Sequence, residues 1–142
     1  MSKIETNNDE YDEYEPVISE IVNSKDNVNI LIDKLIALLI KTQDNGKDFN
    51  ETKHLIHKCI TLSSQSIDDI FSWLKVNQNE PKYLFLLGFF YYNKFVLEEY
   101  NNKGFISFYN AASDNYPIAQ VYLSICYKEG FGTEIDNNLA FY

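Results

Sequence analysis

The last 64 residues of the chain repeat themselves at an offset of 36 residues, and this repeat constrains the fold more than any other feature. An ungapped alignment of residues 79–106 with 115–142 gives nine identities in 28 positions, where chance gives about two. The identical pairs are Asn79/Asn115, Pro81/Pro117, Leu87/Leu123, Tyr91/Tyr127, Phe95/Phe131, Glu98/Glu134, Asn101/Asn137, Asn102/Asn138 and Phe105/Phe141. Tandem similarity at a period of roughly 30 to 40 residues is typical of stacked helical hairpins, so an all-α fold is predicted.

The residue types inside each repeat agree with a hairpin of two helices. Pro81 and Pro117 lie where the first helix begins, because proline has a fixed φ and its missing amide donor is not needed there. Gly130 and Gly132 tolerate positive φ and end that helix in the second repeat. Small and aromatic residues form the return helix of the first repeat: Phe105, Phe108, Tyr109, Ala111 and Ala112. Two residues are able to cap the return helix of the second repeat: Asp136 or Asn137.

Residues 16–78 show helical periodicity but no repeat, so they are predicted to form a helical N-terminal cap. Four helices are expected there. The first is short and is opened by Pro16, and the second is capped by Asp26 or Asn27 and runs to about Thr42. The third runs from about Glu51 to Leu62, and the fourth is opened by a Ser66/Asp69 capping box and runs to Val76. The apolar residues from Val28 to Ile40 form more than one stripe. That helix must therefore be covered on more than one side.

Residues 1–15 form an acidic segment that is poor in aliphatic side chains. Its net charge of −5 leaves −4 for the rest of the chain, and its charged residues are Lys3, Glu5, Asp9, Glu10, Asp12, Glu13 and Glu15. Such a segment buries too little apolar surface to offset the entropy lost on ordering, so a disordered acidic tail is predicted. Tyr11 and Tyr14 in this tail are interpreted either as solvated side chains or as phosphorylation sites.

Charge and composition exclude several classes of partner. All 12 basic residues are lysines and the net charge is −9; such a chain lacks guanidinium groups and repels polyanions, so nucleic-acid binding is not expected. The longest apolar run, from Tyr83 to Tyr92, has ten residues, about half of what a membrane-spanning helix needs. The N-terminus lacks the features of a signal peptide. We therefore expect a soluble, cytoplasmic or otherwise intracellular protein without membrane insertion, in which Cys59 and Cys126 are buried thiols.

One set of residues spans both repeats and has a recognisable order: Leu87-Gly88, Tyr91, Phe108-Tyr109-x-Ala111-Ala112, Ala119-Gln120, Leu123, Tyr127, Gly130-x-Gly132-Thr133, Asp136 and Leu139-Ala140. This pattern resembles the Sel-1-like repeat family, whose members are related to tetratricopeptide repeats. The resemblance covers residues 79–142, under half of the chain. It implies an α-α superhelix, a solenoid of antiparallel helical hairpins, that follows the N-terminal cap.

The two repeats differ in how well they fit that family. The first has Lys94 and Val96 at the positions of the family's loop glycines. It also has Tyr100 in place of the acidic residue and Gly104 in place of an alanine, so we interpret it as a divergent, cap-like repeat. The second repeat is truncated at Tyr142, within its return helix, and further repeats are expected beyond this residue.

Three groups of residues resemble chemical sites but are better explained structurally. His54 and His57 have a spacing that suits a metal, yet both lie opposite the apolar face of their helix and lack further ligands. The neighbouring carboxylates Glu98 and Glu99 diverge, as solvated side chains do. The Gly-Phe-Gly-Thr segment at 130–133 lacks the lysine and the preceding strand of a phosphate-binding loop, and is interpreted as a turn. No catalytic set, metal or cofactor is therefore predicted.

The remaining candidate site is a surface. Stacked hairpins present the first helix of each repeat along a concave face. Residues at matching positions of these helices are candidates for binding a partner: Phe85, Phe89, Tyr92, Val121, Ile125 and Lys128. Aromatic anchors in a groove are typical of peptide or helix binding. Phe85 and Phe89 also have an alternative interpretation, as core residues between the repeats.

Repeat, surface and resemblance together predict a non-catalytic helical-repeat scaffold that mediates protein–protein interactions in signalling or complex assembly. The resemblance leaves two alternatives open. The chain is an accessory repeat segment of a protein-kinase-containing or other multidomain enzyme, or it is an adaptor for cell-wall synthesis or protein quality control. A glycine-rich loop, a strand lysine and a His-Arg-Asp segment elsewhere in the gene would identify the kinase alternative.

Overall fold

The computed structural model describes the backbone of residues 2–23, 27–97 and 101–140, and the side chains in these ranges except those of residues 2–12 and 101. Contacts divide the chain into an N-terminal unit, residues 1–66, and a C-terminal unit, residues 67–142. The N-terminal unit contains the helices α1 (Ser2–Asn23), α2 (Val28–Asp44) and α3 (Phe49–Leu62). The C-terminal unit contains α4 (Ile67–Val76), α5 (Pro81–Tyr92), α6 (Asn101–Ser113) and α7 (Pro117–Glu129). The described ranges contain no strand, which agrees with the predicted all-α class.

Each helix of the N-terminal unit contacts the other two, and α2 contributes the largest set of buried apolar side chains. Both α1 and α3 contact it, as its wide apolar surface predicts. Six of its apolar side chains are buried: Leu31, Ile32, Leu35, Ile36, Leu38 and Leu39. The helix α3 begins two residues earlier than expected, because the Asp48 side chain accepts hydrogen bonds from the amides of Asn50 at 2.8 Å and Glu51 at 3.3 Å.

The first helix differs from the prediction. It begins at Ser2, whereas a disordered tail over residues 1–15 and a helix opened by Pro16 are expected from the sequence; Pro16 instead lies inside α1. The prediction treated proline as the start of the apolar stripe. The structure shows one stripe that runs across it, because Tyr14, Ile18 and Ile21 are all buried.

The side chain of Tyr14 fixes this part of α1 against the end of α2. It is 2% exposed, and its hydroxyl accepts a hydrogen bond from Asn45 Nδ2 at 3.0 Å. The Lys47 ammonium lies 5.0 Å from the centre of the Tyr14 ring, within the range of a cation–π interaction. Phosphorylation of Tyr14 therefore requires α1 to open, whereas the side chain of Tyr11 lies outside the described residues.

In the C-terminal unit, consecutive helices from α5 to α7 pack antiparallel. Later residues of α5 meet earlier residues of α6: a Cβ on Gly104 would lie 3.1 Å from Tyr91 Cβ, and one on Gly88 would lie 2.7 Å from the Phe108 ring. The same reversal relates α6 to α7. Centroids of the Phe105 and Tyr127 rings are 5.5 Å apart, and those of Phe108 and Tyr122 are 5.4 Å apart. This order confirms the antiparallel packing expected of helices joined by short links.

The helix starts and stops of this unit follow the sequence prediction. Pro81 and Pro117 occupy the first turns of α5 and α7. Gly130 ends α7 with a φ of 73°, a conformation that glycine adopts without steric cost. The Asp136 side chain accepts hydrogen bonds from the amides of Asn138 at 3.0 Å and Leu139 at 3.1 Å, as a capping residue does. Residues 137–140 form a turn there, and residues 141–142 lie outside the described part of the chain.

The division between the units lies between residues 66 and 67, not between 78 and 79 as the predicted domains have it. The helix α4 groups with the repeats because its aromatic side chains pack on α5. The ring centroids of Phe71 and Tyr91 are 5.5 Å apart, and those of Trp73 and Tyr83 are 4.9 Å apart, both edge to face. Such aromatic pairs stabilise a helix contact beyond the area that they bury.

Candidate functional site

Two of the six candidate partner-binding residues lie in the core. The side chains of Phe85 and Phe89 are 0% exposed, so the prediction that they line a binding surface is wrong and their alternative interpretation as core residues applies. Phe85 contacts Phe108 and Tyr122, with ring centroids 5.9 and 5.2 Å apart. Neither phenylalanine is able to contact a partner while α5, α6 and α7 remain packed.

Three other candidates lie along one face of α7. Val121, Ile125 and Lys128 are spaced by four and three residues, which places them on one side of a helix. Val121 and Ile125 are partly exposed and Lys128 is exposed. An adjoining side of α7 is fixed in the core by Ile118, Ala119, Tyr122 and Cys126. The face therefore presents two aliphatic side chains and an ammonium group on a helix that the core holds in place.

Tyr92, the sixth candidate, joins α5 to the end of α7. Its hydroxyl donates a hydrogen bond to Glu129 Oε1 at 2.5 Å. Burial and the Glu129 carboxylate raise the pKa of Tyr92 above its ordinary value, so the hydroxyl stays protonated and keeps donating. Glu129 is not among the candidates predicted from the sequence, although it directly follows Lys128. The Tyr92 hydroxyl therefore lies beside Glu129, the neighbour in sequence of the candidate residue Lys128.

The aromatic rings around Tyr92 limit how far it is able to move. Its ring centroid lies 6.0 Å from that of Tyr122, 6.2 Å from that of Phe108 and 5.1 Å from that of Phe131. Phe131 reaches this position because Gly130 turns the chain back after α7, and its amide donates to the Cys126 carbonyl at 3.0 Å. The segment 130–133 is therefore the turn that its glycines predict.

The two cysteines are buried free thiols, one in each unit, as predicted. Burial raises the pKa of Cys59 to about 11 and that of Cys126 to about 12. Thiols with so high a pKa are poor nucleophiles and metal ligands near neutral pH, because the thiolate is the reactive form. Their role in the folded chain is that of small apolar side chains.

The remaining candidate groups do not form a chemical site. His54 and His57 are both exposed on α3, whose buried side chains include Leu55, Ile56 and Cys59; this confirms their predicted place opposite the apolar face. Glu98 and Glu99 lie outside the described residues. Among the residues whose placement is described, no group of three or more histidine, cysteine or acidic side chains is arranged to hold a metal ion.

The described part of the chain contains no helix with the length and apolarity that crossing a bilayer requires. Comparison with protein-family profiles, with curated proteins and with solved structures finds no match to this chain.

Proposed function

We propose that this chain is an intracellular, non-catalytic helical module that binds a protein partner through the outer face of α7. The observation that supports this most directly is the row of Val121, Ile125 and Lys128, named here the α7 face. It combines partly exposed aliphatic side chains with a neighbouring ammonium group. Amphipathic helices and peptides dock on apolar strips of this kind, which are read at intervals of three and four residues.

The rigidity of α7 supports the proposal that its face binds a partner. A preorganised surface loses little entropy on binding, so more of the contact energy appears as affinity. The helix is held in place by Tyr122, which lies against Phe85, Phe89 and Phe108 at ring-centroid distances of 5.2 to 5.9 Å. The resemblance of residues 79–142 to Sel-1-like repeats supports the same proposal, because that resemblance implies assembly or signalling roles rather than turnover.

A photo-crosslinking experiment tests the α7 face. With benzoylphenylalanine at position 125, irradiation of cells that express the chain is expected to give discrete protein adducts. The same label at Leu97, which is 99% exposed in the link between α5 and α6, is the control and is expected to give few or none of them. Ile125→Asp is expected to lower affinity for the crosslinked partner about tenfold or more, because it places a charge in an apolar contact.

The Leu97→Asp variant is the matched control for the substitution. It adds the same charge to the same unit at an exposed aliphatic residue and is expected to leave binding within about twofold. Circular dichroism checks that both variants keep the helical content of the parent chain. Identical adducts from positions 97 and 125, or full binding by Ile125→Asp, would contradict the proposal.

A further inference from the structure

A separate surface of the C-terminal unit is a cleft where α4, α5 and α6 meet. Its volume is about 360 Å³, within the range of sites that hold a small ligand or a few peptide side chains. The residues that determine its character are Lys75, Gln78, Leu87, Tyr91, Lys103 and Ile106. None of these belongs to the α7 face, so the cleft is independent of the function proposed above.

The cleft has an apolar floor and basic walls. Leu87 and Tyr91, one turn apart on α5, are buried at 3% and 8% exposure and form the floor. Lys75 borders it from α4 and Lys103 from α6, and both are exposed. Ile106, one turn after Lys103, adds an apolar side chain at the rim.

Local interactions position the α4 wall. The Lys75 ammonium lies 4.4 Å from the centre of the Phe71 ring, and that ring packs edge to face on the floor residue Tyr91 at 5.5 Å. The Gln78 side-chain amide donates to the Lys75 carbonyl at 2.8 Å, which places a polar side chain beside the lysine. The stem of Lys75 is therefore held over the aromatic edge of the cleft while its charge remains at the surface.

The described lining of the cleft is basic, although the unit as a whole is acidic. Residues 67–142 contain five lysines and nine carboxylates, a net charge of −4. Two of those five lysines nevertheless border this one cleft, and no carboxylate is found among the described residues that line it. Lys75 and Lys103 lie 28 positions apart in sequence and on different helices, so the fold brings them together.

From this arrangement we infer that the cleft binds an acidic peptide segment, in which an aspartate or glutamate lies beside an apolar side chain. The carboxylate pairs with the ammonium groups of Lys75 and Lys103, and the apolar neighbour rests on Leu87 and Tyr91. A polyphosphate or nucleic-acid ligand fits less well. The described lining supplies only two ammonium groups and its floor is apolar, while the chain has no guanidinium group and a net charge of −9.

An NMR titration of the isotope-labelled full chain tests this inference. The probe is a short, end-blocked peptide of alternating leucine and glutamate, and its control has glutamine in place of glutamate. The acidic probe is expected to shift the amide signals of Lys75, Gln78, Tyr91 and Lys103, and to bind more weakly as salt is added. Inorganic phosphate is titrated separately to identify binding that needs only an anion.

Charge-neutralising variants complete the test. Lys75→Gln and Lys103→Gln are each expected to weaken binding of the acidic probe about threefold to tenfold, and the double variant more than either, since exposed ion pairs contribute modestly. Lys82→Gln on α5, outside the cleft, is the matched control and is expected to change affinity less than about twofold.

Three outcomes overturn the inference: no shifts at these amides, equal binding of the glutamine control, or unchanged affinity in the double variant. Phosphate that shifts the same amides while the acidic peptide does not would also overturn it. The Ile125→Asp variant is expected to bind the probe like the parent chain, so a failure of the α7 proposal is distinguished from a failure here.

Discussion

Replacing Phe85 with alanine is expected to lower the free energy of unfolding of the C-terminal unit by about 3 to 5 kcal/mol. The side chain is fully buried and its ring contacts four others: Phe89, Phe108, Tyr116 and Tyr122. Truncation removes the transfer energy of the ring and leaves a cavity that neighbours on three helices are unable to fill. A loss of this size is a large part of the stability of a small domain, about 5 to 15 kcal/mol.

Urea denaturation followed by circular dichroism measures this loss. Alkylation of the buried Cys126 thiol reports the opening of the C-terminal unit in particular. Phe49→Ala is the matched control, because it is the same substitution at a side chain that is 40% exposed; its expected cost is about 1 kcal/mol or less. Equal losses in the two variants would contradict the placement of Phe85 in the core.

Replacing Gly88 with valine is expected to destabilise the same unit by about 2 to 3 kcal/mol. Helix propensity alone predicts a small gain in stability, since glycine is the poorer helix former. However, a Cβ at this position would lie 2.7 Å from two carbons of the Phe108 ring. Phe108 is fully buried and is surrounded by the rings of Phe85, Tyr92 and Tyr122, so it is unable to move away.

Gly104→Val is the comparison for this substitution. A Cβ there would also lie 2.7 Å from a ring, but that ring belongs to Phe131, which is partly exposed in the turn after α7, and the next contact, with Tyr91 Cβ, is longer at 3.1 Å. The cost at Gly104 is therefore expected to be smaller than at Gly88.

Adding Phe108→Leu to Gly88→Val is expected to recover part of the loss in stability, as a double-mutant cycle reveals for residues in contact. Equal or increased stability of the single Gly88→Val variant in urea would show that α5 and α6 do not approach as described.

Much of the C-terminal unit was predictable because its signals are local. Proline at the start of a helix and glycine at its end act through the backbone of one or two residues, so Pro81, Pro117 and Gly130 are recognised without knowledge of tertiary structure. The burial of Cys59 and Cys126 was predictable for a similar reason, since each lies within an apolar helical stripe.

The errors arose where the outcome depends on neighbouring elements. The composition of residues 1–15 predicted a disordered segment before Pro16. Composition does not reveal the side chains that hold Tyr14, since Asn45 and Lys47 lie more than 30 residues away in sequence. Phe85 and Phe89 occupy the first helix of a repeat, whose exposed face was expected to bind a partner. Whether α6 and α7 cover that face depends on how they pack on α5, which periodicity does not reveal.

The cleft between α4, α5 and α6 was missed for the same reason. Lys75 and Lys103 have no special sequence context, and each alone is an ordinary surface lysine. Only the packing of the helices places both beside Leu87 and Tyr91. Interaction surfaces on helical folds are built from residues of several helices, so a single sequence indicates candidate faces more readily than it indicates which residues of different helices converge.

The central structural claim is the close approach of α5 and α6 at Gly88 and Gly104, within the same packing that buries Phe85 and Phe89. Proton nuclear Overhauser spectroscopy tests it directly. We predict strong cross peaks between the Gly88 α-protons and the Phe108 ring, and between the Gly104 α-protons and the Phe131 ring, with the Gly88 signals displaced upfield by the ring current. Spectra that show the cross peaks within each helix but neither of these pairs would contradict the packing on which the proposal for the α7 face rests.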